Sequence, residues 1–500
     1  MIIDFSETYR VPPTSEFDSR RSPSRDRTMA TSLDEPARGR TSGVDSTSNA
    51  RLNSQDVEER STERADSRSA LTAVDRARGR AGVARESSQP CRPRAVRFAT
   101  TTPNTITHSI MLARGWSEVS PTDSNWDLFY ADVGWIHENV PYKSGAHMAE
   151  HQRVNHFANH VELTRKDLMA KNLNRAKRQA AKKGGTEAAK CFDILPLTYV
   201  MPHEALMMQR AFRDHGGLWI MKPIGRAQGK GIFMVHKLSQ ITKWLAEREK
   251  SGAENICIDN YVAQRYISNP YCVGGRKFDM RLYVLVLSYR PLRAYLYREG
   301  FARFTAARYT CDKESLGDEM VHLTNHSVQK RDANYDASKC DLRWSARSVR
   351  QYIAAKHGTA TSDALIEEIT KLIINSLLSV APVMINDRHC FEMYGYDVML
   401  DENLRPWLIE VNASPSMSVD SASDRALKTA LFEDVLNVVD MEKQFDRTSD
   451  TAKRVGGFDL IHDGVVVEEN LRLLGALNDD RESSLARTQM VYDEKEKMAM

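Results

Sequence analysis

Three oxygen-bearing side chains, Asp397, Glu410 and Asn412, are the residues of this 500-residue chain best placed by type and spacing to do chemistry. Glu410 and Asn412 lie in Arg405-Pro-Trp-Leu-Ile-Glu-Val-Asn-Ala-Ser-Pro-Ser416, an otherwise apolar run that reads as a β-strand. Side chains alternate along a strand, so Leu408, Glu410 and Asn412 are expected on one face and Trp407, Ile409 and Val411 on the other. Upstream, Tyr394-Gly-Tyr-Asp-Val-Met-Leu400 reads as a second strand, and Asp401-Glu-Asn403 as the hairpin turn between them. A turn centred near Asn403 and Leu404 puts Asp397 opposite Glu410. The three then form a cluster of hard oxygen ligands, which suits Mg2+ held on substrate phosphates better than zinc. A solvated hairpin face is the plain alternative. The apolar neighbours and the sharp break at Asn412-Ala-Ser-Pro-Ser416 argue against it.

Cations at other points of the chain suggest what such a metal would accompany. Lys222 interrupts the apolar run Trp219-Ile-Met-Lys-Pro223, and a lysine inside a strand calls for an anion, phosphate being the usual one. Gly225, Gly229 and Gly231 follow it and would let a turn fold closely over phosphates, before a second strand ending at Val235. The spacing fits neither the P-loop nor the dinucleotide fingerprint, and an ordinary glycine hairpin fits equally well. Lys277, Asp279 and Arg281 alternate onto one face where they border the buried-strand candidate 282–287; a site and a mutual salt-bridge cluster are the two readings. Arg303 falls between Phe301 and Phe304. His322 and His326 are four apart but lack a helical context and a third ligand, so satisfied polar groups are favoured over metal ligands. Lys428 falls in the first turn of a helix expected over 426–439, where it opposes the macrodipole and invites an anion, unless it is a simple surface lysine.

The elements that must position these residues follow from periodicity. Strands are expected over 261–267, 292–297 and 300–304, a strand or extended entry over 192–200, and a helix over 204–215 capped by Gly216-Gly217. Leu365, Ile366, Ile369, Leu372, Ile373 and Leu377 recur at helical spacing and mark a core helix over 362–380. Residues 165–183 are helix-compatible and strongly basic, ending at Gly184-Gly185; this is either a solvated helix face or an electrostatic dock for an acidic polymer. Residues 1–100 are rich in Arg, Ser, Asp and Thr, contain no Lys and show no periodicity, so they are expected to be disordered. Residues beyond about 445 lose periodicity and read as a short tail.

Composition bounds the function classes. With 41% hydrophobic residues the chain can bury a sizeable core, and a net charge of +3 is too small to argue for nucleic acid. Seven scattered cysteines form no CxxC pair and are expected to be reduced thiols. The N-terminus lacks the features of a secretory signal and no long apolar run occurs, so a soluble, intracellular protein with no membrane insertion is expected.

Taken together, Met221-Lys-Pro223, the glycine turn at 225–231, Gln264-Arg-Tyr-Ile267, Arg276-Lys-Phe-Asp-Met-Arg281, His322-Leu-Thr-Asn325, Gly395-Tyr-Asp397 and Glu410-Val-Asn-Ala-Ser-Pro-Ser416 resemble the tubulin tyrosine ligase-like family, in its order, over roughly 130–445. Val455-Gly-Gly-Phe-Asp459, Gly274-Gly-Arg-Lys277 and Gly300-Phe-Ala-Arg-Phe304 are similar to its ciliary and flagellar polyglutamylase branch. The resemblance implies an α+β ATP-grasp fold with a disordered N-terminal extension (1–100), an N-terminal lobe with the basic helix (101–189), a central lobe (190–275), a C-terminal lobe with the metal site (276–445) and a tail (446–500). It implies ATP bound by Lys222, Gln228, Gly229, the hinge Gln264, Arg265, Tyr266 and Ile267, Lys277, Asp279, Thr324 and Asn325. Mg2+ would be held by Asp397, Glu410 and Asn412. Arg303, His326, Ser327 and Lys428 would take the incoming amino acid, and Lys222, Arg281 and Glu410 would be catalytic.

The chemistry implied is ATP-dependent amide-bond ligation through an acyl phosphate, adding free L-glutamate to glutamate side chains of the acidic tubulin C-terminal tail. The basic stretch at 165–183 suits that acceptor. Location on the cytoskeleton, in a cilium or flagellum axoneme or basal body, is implied too, with room for accessory targeting subunits. Two alternatives stand beside this reading: a glycylase or tyrosine ligase of the same fold, and a non-catalytic microtubule-associated structural protein. A protein kinase fits poorly, because no HRD-like catalytic loop accompanies the metal residues.

Overall fold

The computed structural model describes residues 95–139, 148–226, 228–253, 260–331, 342–443 and 453–476. The disorder expected for residues 1–94 lies outside the described residues.

Residues 95–100 do not belong to the extension: β1 (Arg97–Thr100) is a buried strand, with Phe98 and Ala99 fully covered. It is one of the two inner strands of a parallel sheet ordered β2-β1-β3-β4. α1 (Ile106–Ala113) connects it to β2 (Ser117–Glu118), then come β3 (Leu128–Tyr130), α2 (Val133–Asn139) and β4 (Arg153–Val154). α3 (Val161–Thr164) leads into α4 (Lys166–Lys190), the basic helix, whose Met169, Leu173, Ala176 and Ala180 recur at helical spacing and are buried. Its basic residues lie between those positions. The helix is interrupted where the sequence placed its end, at Gly184 and Gly185, the latter at φ 72°, and resumes for one more turn.

The central lobe is an antiparallel sheet ordered β5-β8-β6-β7. Its elements are β5 (Thr198–Met201), α5 (Ala205–His215), β6 (Trp219–Pro223), β7 (Phe233–Val235), α6 (Leu238–Ala253) and β8 (Tyr261–Arg265). Gly216 closes α5 as expected. Of the strand or extended entry expected over 192–200, the strand itself begins at Thr198.

The third and largest unit is a nine-stranded sheet with the path β14-β13-β10-β11-β16-β15. In chain order it comprises β9 (Cys272–Val273), β10 (Arg276–Tyr289), β11 (Leu292–Phe304), α7 (Glu319–His322), α8 (His326–Gln329), β12 (Arg343–Ser345), α9 (Ala346–His357), α10 (Thr359–Val380), β13 (Glu392–Leu400), β14 (Pro406–Ala413), α11 (Ala422–Val439), β15 (Arg454–Val455), β16 (Phe458–Asp463) and β17 (Val465–Val466). β10 is central and buried on both faces. Leu282, Val284 and Val286 join a core with α4, α9 and α10, whereas Tyr283 and Leu285 join a second core under α1 and α11. The charged residues Lys277, Asp279 and Arg281 share the second face, so one side of a single strand runs from charged to apolar. That change marks where the solvent-facing cleft ends and the core begins.

Two expectations fail here. Residues 454–476 are not a tail: β16 pairs with β11, and Phe458, Leu460, Ile461, Leu471 and Leu474 are buried in the two cores. The helix expected over 426–439 starts at Ala422, because the Ser421 hydroxyl accepts the Asp424 N–H and caps it there.

Candidate active site

A cleft open to solvent lies between the central sheet and the large sheet. Its walls include every residue of the expected nucleotide set: Lys222, Gln228, Gly229, Gln264, Arg265, Tyr266, Ile267, Lys277, Asp279, Thr324 and Asn325. Ile220, Ile232, Leu323, Met399 and Ile409 supply apolar surface between them, the mixture expected of a site for an aromatic base joined to phosphates.

The polar side chains are held by defined bonds. The Thr198 hydroxyl donates to Pro196 O (2.6 Å) and accepts from the Gln264 amide nitrogen (2.9 Å), which turns the Gln264 oxygen toward Lys222 Nζ at 2.6 Å. Burial pushes the Lys222 ammonium down to about 8, Glu410 opposing the shift and Lys166 adding to it. Lys277 Nζ donates to Tyr266 OH (3.0 Å) and His322 O (2.8 Å) and lies over the Tyr266 ring; burial and the neighbouring Lys222 lower it to about 7. His322 itself is buried and bonded through both ring nitrogens, to Tyr266 OH and Ser315 O, as the satisfied-polar reading expected. The glycine turn closes over the cleft because Gly229, at φ 75°, packs against Val328 and Leu323; a Cβ there would fall 2.9 Å from Val328.

The register of the hairpin is the expected one: Asp397 pairs with Glu410 and Gly395 with Asn412. Its alternation is not. A bulge between Asp397 and Val398 makes Ile409 an extra residue, so Leu408 packs in the core with Val398 while Glu410 faces the cleft with Asp397. Leu408 and Glu410 therefore point opposite ways. Asp397 accepts from Arg281 Nε (2.6 Å) and Nη2 (3.2 Å), and lies 2.8 Å from Arg303 Nη2. Burial alone would raise its carboxyl, but the two guanidinium groups outweigh that and hold it well below the usual carboxylate range. Asn412 donates to Gly395 O (3.3 Å) and does not line the cleft. Among the described residues no group of three or more His, Cys, Asp or Glu side chains gathers as for a protein-only metal site. Two facing carboxylates still fit Mg2+, which takes one or two carboxylates and completes its shell from phosphates and water.

Arg303 is buried and bridges Asp279, through Nε at 2.9 Å and through Nη2, to Asp397. The salt-bridge reading of the charged row is realised for Asp279 and Arg281, which pair with Arg303 and Asp397 rather than with each other. Lys428 is buried in the second turn of α11, with its anion supplied by Asp424 at 2.9 Å; it also donates to Ser418 O. Ser327 is exposed and, like Lys428, is not part of the cleft wall; the side chain of His326 lies outside the described residues. Sequence reasoning missed two cations. Lys166, the first residue of α4, lines the cleft and lies 3.4 Å from Glu410 Oε2. Its place at the head of the basic run was the only signal. Arg343 sits opposite Arg303 across β11 and β12 and 3.6 Å from Asp424, so it extends the charged row toward Lys428.

Residues 143–447 match the tubulin-tyrosine ligase family. The chain belongs to that family. Similar family members include the probable tubulin polyglutamylase TTLL9 of Rattus norvegicus, 46% identical over 404 residues that cover 75% of this chain and 85% of the relative. The probable alpha-tubulin polyglutamylase Ttll1 of Tetrahymena thermophila is 40% identical over 368 residues, covering 70% and 89%. The tubulin monoglutamylase TTLL4 of Homo sapiens is 32% identical over 356 residues, covering 68% of this chain and 27% of that much longer protein. The family match encloses the cleft and the hairpin but stops before β15 to β17.

Proposed function

We propose that this family member is an ATP-dependent tubulin polyglutamylase, a carbon–nitrogen ligase that joins free L-glutamate to glutamate side chains of the acidic tubulin C-terminal tail. The observation that carries the reading is the assembly of the whole nucleotide set and the facing Asp397 and Glu410 around one cleft. Tyr266, Lys277 and Asp279 would hold adenine and ribose, and Lys222, Lys166 and the Gln228-Gly229 turn the phosphates. Asp397 and Glu410 would hold Mg2+, which when bound neutralises phosphate charge and organises phosphoryl transfer.

The acceptor carboxylate attacks the γ-phosphorus, the bond to ADP breaks, and an acyl phosphate forms. Arg281, bonded to Asp397 and not itself part of the cleft wall, would add positive charge beside the reacting oxygens. The amine of the second amino acid, having lost a proton, then attacks the acyl carbon, the C–O bond breaks and phosphate leaves. Arg303, Arg343 and Lys428 supply cations for a dicarboxylic amino acid, which favours glutamate over glycine or tyrosine. The exposed basic residues of α4 suit an acidic tail, and a place on the cytoskeleton follows from that substrate; the resemblance to the ciliary and flagellar branch extends it to cilium or flagellum. Accessory targeting subunits are compatible with this reading. A non-catalytic structural role has no observation in its favour.

An acidic tubulin-tail peptide carrying ¹⁸O in its side-chain carboxylates tests the chemistry. Ligation through an acyl phosphate transfers one ¹⁸O per turnover to inorganic phosphate. Ligation with unlabelled phosphate would overturn it.

A further inference from the structure

Resting on the ligase reading of the cleft, we propose that His156 is a positioning residue for ligation, acting through a hydrogen bond to Ser414 that fixes the turn after the carboxylate-bearing strand β14. Glu392, at the start of β13, is fully buried, and its carboxylate takes three donors: His156 Nδ1 (2.9 Å), the Phe157 N–H (3.1 Å) and Tyr394 OH (3.0 Å). His156 is equally buried. Its neighbour Asn155 is clamped to the Ala131 main chain, the side-chain oxygen accepting that N–H (2.8 Å) and the nitrogen donating to that carbonyl (3.0 Å).

The clamp decides the tautomer. Asn155 presents only N–H donors to His156 Nε2, 3.2 Å away, so Nε2 is the acceptor and Nδ1 carries the proton given to Glu392. Ser414 Oγ, 2.9 Å from the same Nε2, therefore donates its hydroxyl hydrogen. A buried carboxylate is thus linked through one imidazole to an exposed serine held at φ 47°.

Lobe cohesion does not require that last bond. The Val154 N–H already donates to His389 O (2.8 Å) and the Phe391 N–H to Val154 O (3.0 Å), which joins the first lobe to the large sheet by main chain alone. What the Ser414 bond adds is control of its turn. Ser414 follows Asn412 by two residues, and Pro415 lies over Gly395: a Cβ on Gly395 would fall 3.0 Å from Pro415 Cβ and 3.3 Å from Arg281 Cδ. Asn412, Gly395 and Arg281 are thereby in one packed stack with the turn. Hydrogen-bonded supports of this kind orient groups that themselves touch metal or substrate, and losing one typically lowers activity about 10- to 100-fold.

The test uses the full chain with tubulin, ATP and glutamate, comparing wild type with Ser414→Ala, Ser414→Gly and Ser414→Asn. These changes are at an exposed position, so none creates a buried cavity; His156→Gln, at a buried one, is a secondary variant. The Ala and Gly variants are expected to lose about tenfold in kcat while KM for ATP stays within about twofold. Glycine suits the left-handed backbone better than serine, so Ser414→Gly should melt no lower than wild type and still be slow. Asparagine tolerates that backbone and offers an N–H to Nε2, so Ser414→Asn should recover most of the rate. A Gly variant as fast as wild type, or an Asn variant as slow as Ala, would overturn the role of His156 and leave the ligase reading standing. A wild-type chain with no ligase activity on tubulin would remove both.

Discussion

The two ends of the charged row differ in how their cations are satisfied. At the phosphate end, Lys222 bonds the neutral Gln264 amide, and among the described residues no carboxylate lies within salt-bridge distance of it. At the far end, Arg303 is held by Asp279 and Asp397, and Lys428 and Arg343 by Asp424. The first end gives Lys222 only a neutral partner, while Lys166 beside it lies 3.4 Å from Glu410. The second is held by the chain's own carboxylates, so under the proposed function an incoming amino acid would have to share or exchange those partners. Under the proposed function the nucleotide end would be organised before its ligand arrives, and the amino-acid end by competition. This difference predicts tight, chemistry-critical effects at one end and affinity effects at the other.

The largest effect should come from Glu410→Gln, which removes a charge beside Lys166 while nearly preserving volume. Ligation should fall on the order of 10³-fold with little change in melting temperature. Near-normal turnover would break the metal assignment. Next, Arg303→Lys keeps a charge but loses the planar fork, and should raise KM for the amino acid about tenfold while KM for ATP changes less than about twofold. Equal effects on both substrates would erase the distinction between the ends. Arg343→Gln, at a partly exposed position with a longer ion pair, should act in the same direction but only severalfold.

The smallest expected effect is on pH dependence. Burial holds Lys222 at about 8 and Lys277 at about 7 without nucleotide, and bound phosphates favour the protonated forms. ATP binding should thus take up protons near these values and weaken severalfold as pH rises above about 8. The stability of the nucleotide-free protein runs the other way: the unfolded lysines keep their protons to about 10.4, so stability gains as pH rises from about 7 toward 10. Calorimetry in buffers of different ionisation enthalpy measures the uptake. An affinity flat across this range with no proton uptake would mean that Lys222 and Lys277 do not sense the phosphates.

Much of the site was legible because it rests on short-range pattern. The Asp397–Glu410 register follows from two apolar runs and one polar turn, and the buried Lys222 from one charge in one strand. What escaped depends on partners far along the chain. The bulge at Ile409 leaves no mark in composition, yet it decides which way Leu408 points. Residues 454–476 read as a tail because β16 is short and carries charge. In the fold Asp459 receives two bonds of 2.6 Å from Arg298, 161 residues earlier, and Gly456 lies so close to Asp434 that a Cβ would sit 1.9 Å from its oxygen. The early start of α11 is written in Ser421-Ala-Ser-Asp424, a cap signal that precedes the apolar periodicity by a turn.

Incorporation of labelled glutamate, glycine and tyrosine into microtubules by the purified chain, with ATP and Mg2+ and alongside Glu410→Gln, tests the central claim most directly. Glutamate alone should be incorporated, and only by the wild type. Incorporation of glycine or tyrosine in its place, or glutamate incorporation undiminished in Glu410→Gln, would contradict it.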